Sequence, residues 1–212
     1  MHLAQFPLQS VFYPGETVPL HIFEDRYKQL IKDCQRESIT FGIPVYLNER
    51  LQFGTEVQLV EVVQTYSGGE MDVVCLGRQV YELLTFEPEM QGKPYAGGLV
   101  RFLEHENDGD PQRRAEVFSR LKKLYDLMGV VLPAEREAEF NSYQFAHKMG
   151  LTIEQEYELL QISRESERLD FIDHHLKTTI RILEEVDKTK QKIELNGHFR
   201  NFDPLDFKKF EL

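Results

Sequence analysis

The side chains in this chain that could do chemistry are scattered histidines, a few carboxylates and one serine–lysine pair. Histidines stand at 2, 21, 105, 147, 174, 175 and 198, and no HExxH occurs among them. His21 and Glu24 are three residues apart, but Pro19 places the histidine ahead of the helix that Glu24 opens, so His21 reads as a packed or capped residue. His174 and His175 are neighbours on a helix; their rings point about 100° apart and cannot easily share one ion. His147 belongs to another helix, and no third ligand stands out to complete a site with His175. Ser119 and Lys122 lie one helical turn apart, yet an exposed lysine stays protonated and cannot activate a hydroxyl. No segment fits GxxxxGK[ST], which would supply the amides and lysine of a phosphate cradle. Cys34 and Cys75 make neither a disulfide framework nor a metal-ligand spacing. The expectation is a protein that is not an enzyme, with no catalytic residue, no metal and no cofactor.

Composition points the same way. The chain has 212 residues, 41% apolar and 29% charged, enough for one large domain or two small ones with a sizeable core. Acids exceed bases by 36 to 25, for a net charge of −11. A nucleic-acid binder needs a basic face to release counterions. Here the basic clusters are short (Arg113-Arg114, Lys122-Lys123, Lys208-Lys209) and read as solvated helix faces and a polar tail, so no nucleic acid is expected. No stretch approaches the ~20 apolar residues of a membrane helix, and no membrane association is expected. No secretory signal is recognisable, which makes the cytoplasm the default compartment.

The elements that would position any site change character near residue 106. Before it the chain reads as strands: Leu3 to Leu8, Val11 to Tyr13, Ile39 to Tyr46, Thr55 to Tyr66, Met71 to Gly77, Gln79 to Phe86 and Leu99 to Glu104. Prolines 7, 14 and 19 forbid one long opening strand, because each lacks a donor and fixes φ. The chain should therefore zigzag in short pieces and pass from Pro19 through Leu20-His21-Ile22-Phe23 straight into a helix. Tyr27, Leu30, Ile31 and Cys34 put an apolar stripe on that helix, from about Glu24 to Arg36. Ser67-Gly68-Gly69 signals a hairpin. Short strands with one early helix suggest a small, partly closed barrel, which removes exposed edges.

Glu106 to Pro111 is the best linker candidate, dividing a β-rich lobe (1–105) from a helical lobe (111–195). Pro111 suits a first helical turn. Val117, Leu121, Leu124 and Met128 form one stripe, and Gly129 stops the helix. A short helix is expected from about Ser142 to Met149, capped by Asn141 or Ser142. Thr152 and Gln155 form a capping box for the next. Leu169, Ile172, Leu176, Ile180, Leu183, Val186 and Ile193 then step along a helix from about Arg164 to Leu195, roughly 45 Å at ~1.5 Å per residue. Part of its stripe must project beyond the barrel and pack on other helices, on the tail, or on a second copy in a homodimer. Asn196-Gly197 is a turn signal that would reverse the chain. The tail 196–212 carries Phe199, Phe202, Phe207 and Phe210. A buried Phe is worth about 1.5–3 kcal/mol, so the tail should pack on the body or dock into a partner.

The order FPL, VFYPG, PLHIFEDRY at the start resembles the opening of the Lon N-terminal domain family, the substrate-recognition domain of the ATP-dependent Lon proteases. Ala146, Gly150-Leu151, Glu154-Gln155, Leu159-Leu160, Glu167-Arg168-Leu169 and Leu176 follow the order of that family's helical half. The resemblance covers residues 1 to about 186 and leaves out the nucleotide-binding half and the Ser-Lys peptidase half. It implies an α+β protein with an N-terminal PUA-like pseudobarrel followed by a helical bundle. It also implies binding of polypeptide segments or a protein partner without catalysis. The PUA fold in outline is shared with RNA binders, and the acidic charge balance weighs against RNA. The family places an acid and an arginine where Glu24 and Arg26 stand. These should fix the helix against the barrel, with Arg26 pairing an acidic strand residue, or else contact a ligand. Tyr13, Pro14 and Tyr46 could line an apolar surface groove or act as lids on the core. The expected binding place is the groove between the lobes.

Overall fold

Glycines and prolines decide where the strands bend. In a computed structural model, residues 1–132 and 140–200 are described, without the side chains of 194–200. Strands β1 (His2–Gln5), β2 (Thr17–Ile22), β3 (Phe41–Leu47), β4 (Arg50–Thr65), β5 (Met71–Leu83) and β6 (Ala96–Phe102) form one sheet, with helix α1 (Asp25–Glu37) between β2 and β3. The order is β2-β5-β4-β3-β1-β6, and a further β5–β6 pairing closes β1, β3, β4, β5 and β6 into a five-stranded barrel. The β1–β3 pair is parallel and the other pairs are antiparallel. Inside the barrel the buried Tyr81 hydroxyl donates to Gln5 Oε1 at 2.6 Å, so this core polar pair is satisfied.

Three departures from the expected strands have physical causes. Thr17–Ile22 is a strand although it contains Pro19. Among the described residues it is hydrogen-bonded to β5 alone, and an edge strand tolerates a missing donor. Met71–Gly77 and Gln79–Phe86 are one strand, β5, running through Gly77. A Cβ on Gly77 would lie 2.2 Å from the Tyr13 carbonyl oxygen, so the glycine admits the Tyr13–Glu16 turn rather than making a turn of its own. Val11–Tyr13 is not a strand; it leads into that turn, where Gly15 (φ 81°) donates to the Gly77 carbonyl and Gly77 donates to the Glu16 carbonyl. In β4, register shifts at Thr55/Val57, Leu59/Glu61 and Val62/Gln64 interrupt the regular alternation of its two faces.

The α1 stripe of Tyr27, Leu30, Ile31 and Cys34 is buried against Val18, Ile22, Val57, Met71, Val73 and Cys75. A carboxylate anchors the same helix. The fully buried Asp33 accepts from Gln29 and Arg36 at 2.9 Å, from Lys93 at 2.7 Å and from Tyr95 at 2.8 Å. Burial pushes its pKa up, but the hydrogen bonds from Lys93, Tyr95 and Gln29 outweigh this and hold it below the usual carboxylate range.

Helix α2 (Pro111–Leu127) starts at Asp110, whose side chain accepts from the Arg113 amide. Val117, Leu121 and Leu124 are buried, and Phe118 joins them in place of Met128, which caps the helix and is 56% exposed. The expected helix over 142–149 is only a 3-10 turn at Ala146–Lys148. Asn141 caps the approach by accepting from the Tyr143 and Gln144 amides, while Ser142 is drawn away to Glu165. Helix α3 (Ile153–Gln161) has its Thr152–Gln155 capping box. The candidate linker is tied down: Asp108 accepts from the Ser166 amide at 2.9 Å and from Arg164, at the start of the last helix. That helix, α4 (Glu165–Arg200), is 36 residues long and continues through Asn196-Gly197, where a reversal was expected. Asn and Gly cost a helix at most about 1 kcal/mol each, so they weaken it without forcing a turn. Phe199 lies within α4 with its side chain outside the described residues, and Phe202, Phe207 and Phe210 lie outside them altogether.

Replacing Asp33 by Ala should lower the unfolding free energy by about 2–4 kcal/mol in urea titration, because Tyr95 and Lys93 lose a buried acceptor. Since its folded pKa is depressed, Asp33 stabilises above the unfolded value of ~3.9, and this is lost as pH falls through the folded value. Asp33→Asn should therefore show a flatter stability profile below about pH 4 than the parent protein.

Candidate polypeptide-binding surfaces

The Tyr13–Glu16 turn reaches from the barrel into the helices. The Tyr13 side chain is fully buried and stacks on Tyr143, with ring centroids 4.8 Å apart and planes at 20°. Its hydroxyl donates to the Glu156 carbonyl at 3.1 Å. The Arg168 guanidinium also lies over the Tyr143 ring, 4.6 Å from its centre. Arg168 is itself buried. It donates to Glu165 at 2.9 Å, to Ser142 Oγ at 2.8 Å and to the Ile162 and Ser163 carbonyls at 2.7 and 3.0 Å. Ser142 donates its amide and hydroxyl to Glu165 at 3.1 and 2.6 Å. Every strong partner of this buried ion pair is supplied by the α3–α4 bend and the 141–143 turn.

Beside this stack the Tyr13–Glu16 turn and residues 141–148 enclose a cleft of about 310 Å³, lined by Pro14, Gly15, Gln144 and Lys148 among others. His147 spans it. Its Nδ1 lies 2.8 Å from Glu156, its Nε2 lies 3.3 Å from Glu16, and its ring packs 5.0 Å from Tyr13. The hydrogen bond to Glu16, with that to Glu156, outweighs partial burial and raises its pKa to about 9. Protonated at neutral pH, it ties the barrel to the helices.

A second groove, of about 320 Å³, lies between the chain after β1 and strand β2. Its floor is Phe6, Ile22 and Tyr27, with the Phe6 and Tyr27 rings 4.1 Å apart. Its rim is Pro7, Leu8, Pro19, Leu20 and Phe23, the last 62% exposed. Glu24 and Arg26 lie at its end. They pair with each other at 2.7 Å rather than with a strand carboxylate, and Arg26 lies over the Tyr27 ring at 4.6 Å. The structure thus divides the residues singled out in the sequence. Tyr13 and Pro14 line the junction cleft, Glu24 and Arg26 line the β2 groove, and Tyr46, 41% exposed at the end of β3, lines neither. Among the described residues no group of three or more His, Cys, Asp or Glu is placed to hold a metal ion, and no helix is long and apolar enough to cross a membrane.

A family model, the ATP-dependent protease La (LON) substrate-binding domain, matches residues 2–178. The chain belongs to the Lon substrate-binding domain family. Among solved structures it is similar to a Lon N-terminal domain protein from Xanthomonas campestris, at 24% identity and a TM-score of 0.62, over 80% of this chain and 95% of that one. The N-terminal domain of Mycobacterium avium complex Lon protease is similar at 16% identity and a TM-score of 0.65, over 84% of this chain and 98% of that one. No curated protein matches significantly. These likenesses show the α+β Lon N-terminal fold, barrel first and long helix last. The matched Lon substrate-binding module is a non-catalytic one.

Sequence reading missed Phe23, Tyr143, His147 and the Glu165–Arg168 pair as parts of these surfaces. One signal was present in this Lon-type chain. Glu165, Arg168 and Ile172 recur at three and four, so two ionisable residues share the core-facing stripe of α4 and must satisfy each other.

Arg168→Met should destabilise by about 3–5 kcal/mol in chemical denaturation, because it leaves the Glu165 carboxylate buried without its cation. His147 gives a pH signature of the opposite sign to Asp33. Its folded pKa of about 9 exceeds the ordinary 6.5, so its stabilisation is complete below about pH 6.5 and is lost as pH rises through 9. The parent protein should lose melting temperature over that interval, and His147→Gln should lose less.

Proposed function

We infer that this protein recognises polypeptide segments or a protein partner, holding extended apolar stretches in the groove beside β2. The observation that carries this reading is the combination of an apolar rim with a free strand edge in a Lon substrate-binding domain. Pro7, Leu8, Leu20 and Phe23 offer greasy contact, and among the described residues β2 is hydrogen-bonded on one side only. A guest strand laid along β2 gains main-chain hydrogen bonds whatever its sequence, while the rim selects apolar side chains. Such recognition is sequence-tolerant because the backbone groups of every guest are alike. Glu24 and Arg26, at the end of the groove, are proposed to meet polar groups of the guest.

The junction cleft is the second reading, favoured by Tyr13 and Pro14 lying in its wall. We propose that the barrel (1–105) and the helical half (111–195) act as two lobes, with Tyr46 outside either guest path. Much of the cleft lining is polar and His147 crosses it, which suits a hinge or a polar guest better than an apolar one.

A photo-crosslinking amino acid placed at Phe23, and separately at Gln144, tests both readings with a permanently unfolded model protein as guest. Adducts at 23 but not 144 are expected. Adducts only at 144 would move the site to the junction, and none at either position would reject both grooves.

A further inference from the structure

The edge of β2 that lines the groove has a fixed hydrogen-bond phase, and that phase sets how firmly a guest is held. Gly15 (φ 81°) and Glu16 form a bulge opposite Gly77. Gly15 donates to the Gly77 carbonyl and Gly77 donates to the Glu16 carbonyl, each at 2.9 Å. From there the antiparallel register runs Thr17–Leu76, Val18–Cys75, Pro19–Val74, Leu20–Val73, His21–Asp72 and Ile22–Met71. Opposite residues in such a ladder alternate between hydrogen-bonded and non-bonded pairs. Glu16 and Gly77 are a bonded pair, so Val18, Leu20 and Ile22 turn their backbone groups to β5. Thr17, Pro19 and His21 turn theirs to the other side, where among the described residues no strand pairs with β2.

That outward row is short of donors. Thr17 and His21 each offer an amide and a carbonyl there, and Pro19 between them offers a carbonyl alone. The facing wall is poorer still. Phe6 and Leu8 donate their amides to the Gly42 and Pro44 carbonyls of β3, and between them stands Pro7, also without an amide. Pro7 and Pro19 both line the groove. A guest carbonyl laid opposite Pro19 therefore exchanges water for no donor. The remaining β2 donors, Thr17 and His21, are four residues apart, about 13 Å along a strand. A guest must stay extended over that length to reach both, a condition that unfolded segments meet and helical surfaces do not.

We propose that Pro19 is the affinity-limiting residue of this edge: it withholds the middle donor of the row, so an extended polypeptide is gripped at Thr17 and His21 and released readily. The inference rests on the strand-pairing reading of the groove. It assigns weak grip to one missing amide rather than to a poor apolar fit. Reversible capture of this kind suits a surface that samples many segments in turn, and the same missing amide discourages edge-to-edge pairing of two copies.

Binding of a permanently unfolded guest (a reduced, carboxymethylated and fluorescein-labelled globular protein) is read by anisotropy, and exchange of the β2 amides by NMR. Thr17 and His21 should exchange fast in the free chain and slow down beside the guest, while Val18, Leu20 and Ile22 are slow in both states. Pro19→Ala and Pro19→Val add an outward amide and break no native hydrogen bond. Each should lower the dissociation constant by about two- to tenfold, the net worth of one hydrogen bond. His21→Pro removes a donor and should weaken capture by more than His21→Ala does. Slowed Thr17 and His21 amides with no tighter binding by either Pro19 variant would overturn the limiting role of Pro19 and leave strand pairing intact. No binding, or amides that stay fast beside a bound guest, would remove strand pairing itself and the proposal with it. Thr17 and His21 amides already slow in the free chain would mean a covered edge, and the proposal would fall on that result too.

Discussion

The arrangement of the two halves depends on one stacked contact, Tyr13 on Tyr143, with the Arg168 guanidinium also against the Tyr143 ring. Tyr13 comes from a turn that could not approach β5 if residue 77 had a side chain. Tyr143 is held over Arg168, and Arg168 is fixed by a carboxylate, a hydroxyl and two carbonyls. An aromatic face on a guanidinium contributes where water is excluded, and here it is. The cost of burying Arg168 is offset only because Glu165 is buried with it. The contact is therefore directional. It sets the angle at which the helices leave the barrel, which apolar packing alone would leave loose.

That rigidity clarifies the division of labour between the two hollows. The junction is stitched by the Tyr13 stack, by His147 between two glutamates, and by an apolar cluster in which Val11, Val45 and Val80 of the barrel half meet Val117, Leu159 and Leu176. A surface so fully engaged has few groups left for a guest. The β2 groove is the reverse case. Its floor is packed, its rim is apolar and, among the described residues, its strand pairs on one side only. Sheet edges are usually protected because they invite pairing. Pro19 limits that liability by removing one donor, and it leaves the rest of the edge free for controlled use.

Much of the architecture was legible before any coordinates. The α1 stripe, the Thr152–Gln155 cap and the apolar steps of α4 as far as Leu183 are local patterns, and local geometry alone realises them; Val186 and Ile193, expected on the same stripe, are exposed. The β2 strand was not legible, because Pro19 reads as a breaker until it is known to sit at an edge. The continuity of β5 through Gly77 was also hidden, because the glycine serves the Tyr13 turn and not its own strand. Among the candidate site residues, Tyr13, Pro14, Glu24 and Arg26 were each reasonable choices. Nothing in their spacing could show that they face two different hollows, since that depends on how the chain crosses itself.

The sequence by itself determined the acidic balance, the run of strands before helices, and a family kinship carried by its opening residues and by the order of its helical half. Those features depend on residue type and on neighbours within a few positions. Tertiary structure alone decided that Glu165 and Arg168 share a buried pair with Ser142, and that His147 stands between Glu16 and Glu156. Each of these joins groups distant in the chain, and charge or burial has no value for such a group until its neighbours in space are known.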